Sequence, residues 1–240
     1  MDLKAAATPA GAGEPAHVPA QGTERTERSE RSRLVMRIVL GVVAAVLVAL
    51  AWRAPLWTSN LDAPQYPEGL DLRVYGDRVE GDVREISALN HYVGMKPYDI
   101  DGSPEMVLWT PTILAAVCAV VVSQVFGRHW PGRLARLAVW AVPAGILVDI
   151  QWRLYQFGHE LVTEPRPALP IEPFTPKVIG PTKVLNFTNS AMPGLAVFLL
   201  LGAAALLSFG PGLGRVLRRA GRWLDQPLGA RAPEPDPLAP

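Results

Sequence analysis

Four long apolar stretches constrain this chain more than any other feature: residues 34–51, 106–126, 134–150 and 189–209. The first is eighteen residues long, about 27 Å as a helix, close to the roughly 30 Å of a bilayer core. In hydrocarbon every backbone N–H and C=O needs a partner within the segment, so such stretches read as helices. Charged residues make up 19% of the chain, below the roughly 25% usual in soluble domains. The expected fold class is therefore an all-α membrane protein, a four-helix transmembrane bundle.

Charge sorts the connections onto two sides. Arginine is concentrated in the N-terminal tail (1–33), in the turn at 127–133 (Arg128, Arg133) and in the C-terminal tail (210–240: Arg215, Arg218, Arg219, Arg222). The 52–105 loop instead has five Lys or Arg against ten Asp or Glu. The positive-inside rule then puts both chain ends in the cytoplasm and loops 52–105 and 151–188 outside, at the inner membrane. Leu34–Ala51 competes with a cleaved signal peptide, but the long leader and the Trp52, Arg53, Trp57 cluster favour an uncleaved anchor. Arg37, near its start, can snorkel to the headgroups. The tails lack apolar periodicity and are expected to be disordered.

The first outer loop carries a small α+β element. Asp71–Tyr75 alternates polar and apolar, Gly76-Asp77 supplies a turn, and Arg78–Val83 returns as a second strand. Ile86, Leu89, Tyr92 and Val93 then follow helical spacing, with Gly94 placed to stop the helix. The second outer loop continues the third span to about Leu161. Beyond it, Pro165–Pro181 reads as irregular or polyproline-like. Pro111 and Pro193 fall in first turns, where proline is tolerated, whereas Pro143 beside Gly145 is mid-span and predicts a kink.

The chemistry-bearing residues gather near the outer boundary. His91 and Met95 are four apart and share a face if the helix runs on through Gly94; otherwise they can form a loop-borne site. Imidazole and thioether together suit Cu(I), a soft ion. Met106 and Met192 open helices, where packing is the plainer role. Asp149 is ionisable at membrane depth and therefore costly; an ion pair with Arg153 one turn on is its structural explanation. Trp152, Tyr155 and His159 continue the stripe as an aromatic belt. Asn90, His91 and Tyr92 can equally make structural hydrogen bonds. The single cysteine, Cys118, excludes an intrachain disulfide and reads as a buried thiol. No hydrolase, nucleotide or haem-attachment motif is present, and a net charge of +1 gives no reason to expect nucleic acid.

Several motifs resemble a family. Tyr66–Leu70 (YPEGL), Leu89–Pro97 (LNHYVGMKP), Arg153–His159 (RLYQFGH), Ile171–Pro176 (IEPFTP), Ile179-Gly180 and Asn186-Phe187 resemble small bacterial membrane proteins that accompany the maturation of nitrous-oxide reductase, a copper enzyme. The resemblance covers about residues 52–200 and departs at Glu160–Glu164, where an Asn-Leu-Asp-Pro-like run is expected. It implies an accessory role in copper handling or metalloenzyme maturation. Cu(I) would be held transiently by His91 and Met95, with His159 as a third ligand. The implied partners are a membrane permease, a lipoprotein chaperone or the metalloenzyme. Two other classes stay open: a non-metal scaffold docking a partner through its outer loops, and an intramembrane enzyme or lipid-binding protein using Asp149 and His159, with a pocket between the third and fourth spans near Pro143.

Overall fold

The computed structural model describes residues 21–96, 104–161 and 171–224. Residues 21–35 belong to the first of two compact units and are helical throughout; all that follows lies in the second unit, 36–240. The elements in chain order are α1 (Gln21–Ala51), β1 (Trp57–Ala63), β2 (Tyr66–Val74), β3 (Val79–Gly81), α2 (Val83–Tyr92), α3 (Pro104–Phe126), α4 (Trp130–His159), β4 (Gly180–Val184), β5 (Phe187–Pro193) and α5 (Leu195–Leu224).

The all-α expectation is wrong: the chain is α+β. A five-stranded antiparallel sheet, order β3-β2-β1-β5-β4, joins the 52–105 and 151–188 segments. Strand β1 lies at its centre, with Trp57 opposite Val74 on one side and Pro193 on the other. The expected hairpin is β2–β3, closed by the Tyr75 N–H donating to the Arg78 carbonyl at 2.8 Å. Strands β1, β4 and β5 were not expected. Residues 189–193, assigned from composition to the fourth span, are strand, and Pro193 ends β5 rather than opening a helix. Two of the stretches expected to be disordered, 21–33 and 210–224, are helical. The tails 1–20 and 225–240, residues 97–103, and residues 162–170, which include the start of the proline-rich stretch, lie outside the described residues.

Three helical stretches are long and apolar enough to cross a membrane: Glu30–Ala51, Met106–Phe126 and Trp130–His159. They make this a membrane protein. A shorter apolar stretch, Leu195–Gly210, stands beside them. The helical core is built on Ala44, Val48, Ala116, Val120, Val139, Leu200, Ala203 and Ala204. Large residues such as Val42, Val46, Leu114, Val121, Leu137 and Phe198 point outwards, the arrangement expected where the surroundings are lipid. Cys118 is also exposed, not buried as expected. The Arg37 guanidinium donates to the Gln124 carbonyl, and Arg136 donates to the Gly127 carbonyl at 3.0 Å. Both cations satisfy carbonyls that the end of α3 leaves without helical partners.

Sheet and helices are welded at α4. Its thirty residues reach about 45 Å, more than a bilayer core needs, so its C-terminal part extends along the sheet. There Gln151 donates to the Pro176 carbonyl at 3.1 Å and accepts from the Val178 N–H at 3.3 Å. Trp57 donates its indole N–H to the Val178 carbonyl at 2.9 Å. Trp57 is thus core of the sheet layer, with Leu70, Leu72, Ile86, Leu154 and Ala191, and not the interfacial anchor its position suggested. Trp52 remains partly exposed, with the Arg53 guanidinium 5.2 Å from its ring centre.

Candidate functional site

Where the sheet meets the helices a groove of about 700 Å³ opens between α3, α4 and the β2–β3 turn. Its formation follows from small residues at two points. Gly76 lets the turn lie directly on α3, since a Cβ there would fall 2.1 Å from the Trp109 ring. Gly145 on α4 leaves the groove empty, because a Cβ there meets nothing within 4 Å. Leu108, Ala141 and Gly145, all exposed, border its side at the level of the apolar helices.

Along α4 the lining residues change character in steps of three and four, which places them on one face. Ala141, Val142, Gly145 and Ile146 come first; farther on, Asp149, Arg153, Gln156 and Glu160 are interleaved with Ile150, Leu154 and Phe157. Lys96 faces the last of these, its Nζ 2.7 Å from Glu160 Oε2. Charged groups, two cations and two carboxylates, therefore enter the groove's wall only from Asp149 onwards. Asp149 is half-buried and makes no hydrogen bond or ion pair with the described residues. The internal ion pair with Arg153, the structural explanation considered above, is not formed.

The sequence reading singled out Asp149 and Arg153, and both line this groove; His159 does not. The groove lies between the second and third spans under the sheet, not between the third and fourth. Trp109, Tyr75 and Lys96 were missed, because they lie on α3, beside β2 and after α2, and no local pattern ties them to α4.

The proposed copper ligands are arranged differently. Helix α2 ends at Tyr92 and Gly94 takes φ +79°, so the shared-face geometry gives way to a turn in which the Met95 N–H donates to the Asn90 carbonyl at 2.8 Å. His91 is exposed. Met95 and the buried Asn90 border a smaller cavity of about 100 Å³ with Leu154, Phe157 and Phe174. His159 stacks on Tyr155 at 4.0 Å between centres, and Tyr155 on Trp152 at 5.9 Å, so the expected stripe is a ladder. The His159 Nδ1 lies 2.9 Å from the Tyr155 carbonyl oxygen; a carbonyl can only accept, so Nδ1 carries a proton, which in the neutral imidazole leaves the lone pair on Nε2. The Leu89–Pro97 and Arg153–His159 motifs meet at the smaller cavity, and Lys96 of the first bridges Glu160, the residue after the second. Among the described residues, no three or more His, Cys, Asp and Glu side chains are grouped as metal ligands. Met106 and Met192 lie apart in function: Met106 lines the groove, and Met192 is an exposed residue of β5. No family model and no curated protein sequence matches the chain.

Proposed function

We propose that this membrane protein binds one amphiphile in the groove between α3, α4 and the sheet. The observation that carries the reading is the groove's polarity gradient: apolar helix walls at one end, and Asp149, Arg153, Lys96 and Glu160 at the other. A volume of about 700 Å³ lies within the usual range for small-ligand sites, roughly 300–1,000 Å³. Its exposed flank at Leu108, Ala141 and Gly145 would admit a chain directly from the bilayer. On this reading the sheet stands outside the inner membrane and both chain ends lie in the cytoplasm, as the arginine distribution favours.

The test is native mass spectrometry on the full chain released from mild detergent, comparing wild type with Gly145→Leu. One retained amphiphile per chain in wild type, lost in a variant of unchanged melting temperature, is the expected result. Equal retention in both would overturn the proposal.

A second reading is favoured by the His159 tautomer. A histidine whose Nδ1–H is held by a backbone carbonyl presents Nε2 in the form a metal takes. Cu(I) would be held by that nitrogen with His91 and Met95, and its soft-ligand chemistry suits transient delivery to a protein acceptor. Elemental analysis of tag-free, Cu(I)-loaded protein should give near one copper per chain, lost in folded His159→Ala and Met95→Ala. No specific copper in folded wild type would sink this reading and leave the groove unaffected.

A further inference from the structure

The order of charges in the groove restricts the headgroup it would take. Going outwards along α4 from the apolar walls, the first polar side chain is a carboxylate, Asp149. Arg153 follows one turn on, about 6 Å farther out, and Lys96 and Glu160 sit at the rim. A half-buried carboxylate next to apolar walls is costly unless it accepts a hydrogen bond, and Asp149 has no such donor among the described residues. The position next to a bound chain therefore calls for a donor, a hydroxyl or an ammonium. It disfavours a carboxylate or a phosphate, which would meet like charge. One turn outwards the guanidinium of Arg153, backed by Lys96, suits an anion. The Lys96–Glu160 pair is half-exposed, and such pairs hold weakly, so Lys96 can exchange its carboxylate for a ligand phosphate.

We infer that the groove selects an amphiphile with a hydrogen-bond donor beside its chain and a phosphate about one helical turn farther out, the chemistry of a lysophospholipid. A diacyl phospholipid has both chain-proximal hydroxyls esterified and offers Asp149 no donor. A fatty acid places its own carboxylate against Asp149. A monoacylglycerol has the donor and lacks the phosphate. The inference rests on the proposed amphiphile site and sharpens it.

Binding of tritiated palmitoyl lysophosphatidylglycerol to the full chain in phosphatidylcholine nanodiscs tests it. The unlabelled competitors are the same lipid, palmitate, monopalmitoylglycerol and dipalmitoyl phosphatidylglycerol. Saturable binding abolished by Gly145→Leu is expected, with palmitate and the diacyl lipid competing at least roughly tenfold less well than the unlabelled probe. Asp149→Asn, close in shape but uncharged, should bring palmitate up to the level of monopalmitoylglycerol, which also lacks the phosphate. Arg153→Gln should bring the probe down to the level of monopalmitoylglycerol. Two results overturn the inference and leave the groove standing: palmitate matching the probe in wild type, or an unchanged ranking in Asp149→Asn, while Gly145→Leu still abolishes binding. Absence of saturable binding, or binding indifferent to Gly145→Leu, overturns the amphiphile site and the inference with it.

Discussion

The helical layer and the sheet layer solve opposite packing problems within one chain. The helices meet through small residues, with Ala44, Ala51, Ala196, Ala203 and Ala204 essentially sealed from the surface while their large neighbours face out. In the sheet the large residues go inside, with Trp57, Leu70, Leu72 and Ile86, and the outer face carries polar pairs such as Asn60 Nδ2 donating to Asp71 Oδ1 at 2.9 Å. The difference lies in the solvent. Water drives large apolar side chains together; lipid does not, so helices there associate by close backbone approach and van der Waals contact. The groove sits at the change of solvent, where neither rule fills space completely.

The comparison can be broken most severely at the joint. Gly194, between β5 and α5, lies so close to the chain before β1 that a Cβ would be 2.2 Å from the Pro55 carbonyl oxygen. Its N–H donates to the Leu56 carbonyl at 2.8 Å. Gly194→Val is expected to cost about 3 kcal/mol and to release the sheet from the helices, read as loss of amide protection in β1 and β5. If protection there is unchanged, the two layers are not coupled through this joint.

A milder variant pair sharpens the contrast of solvents. Trp57 donates to the Val178 carbonyl at 2.9 Å in the sheet, and Trp140 donates to Ser208 Oγ at 3.1 Å among the helices. Trp57→Phe strands a carbonyl and should cost about 1 kcal/mol beyond its packing loss. Trp140→Phe should cost about 0.6 kcal/mol, the average for hydrogen bonds between membrane helices. Unfolding of both variants in the same detergent would show whether the order holds.

The smallest effect is expected at Arg78 and Glu80, whose side chains stand in solvent beside the turn that rests on α3. The Arg78 guanidinium, donating at 2.6 Å, holds the Glu80 carboxyl below its usual range. A carboxyl depressed in the folded state contributes stability above its unfolded value, and that contribution is lost as pH falls through the folded value. Acidification below the ordinary carboxylate range should therefore raise amide exchange at Val79–Gly81 slightly in wild type, with no such response in Glu80→Gln.

Legibility in the sequence varied with how local the signal was. The β2–β3 hairpin and α2 could be read because Gly76-Asp77 and Gly94 sit where a turn and a helix stop need them. The β4–β5 hairpin could not. Its two-residue loop is Leu185-Asn186, with Val184 paired to Phe187 and Leu185 at φ +54°, a conformation normally marked by Gly or Asn. Strand β5 was hidden for another reason: Ala191, Met192 and Pro193 run straight into the apolar α5, and hydropathy cannot see where a strand hands over to a helix. In the groove, Asp149 stood out as a charge at membrane depth and Arg153 as its ion-pair candidate, but that they line a cavity depends on Trp109 and Gly76, which are distant in sequence.

Membrane character and three of the apolar helices are written in the sequence, because each is a property of a contiguous stretch meeting one solvent. It takes the tertiary structure to show that residues 57–81 and 180–193 form a single sheet, and that this sheet and α3 leave Asp149 facing an open groove. Strand pairing and cavity walls are made between residues far apart in the chain, such as Trp57 with Pro193 and Gly76 with Trp109, and no local pattern encodes which distant partner will be met.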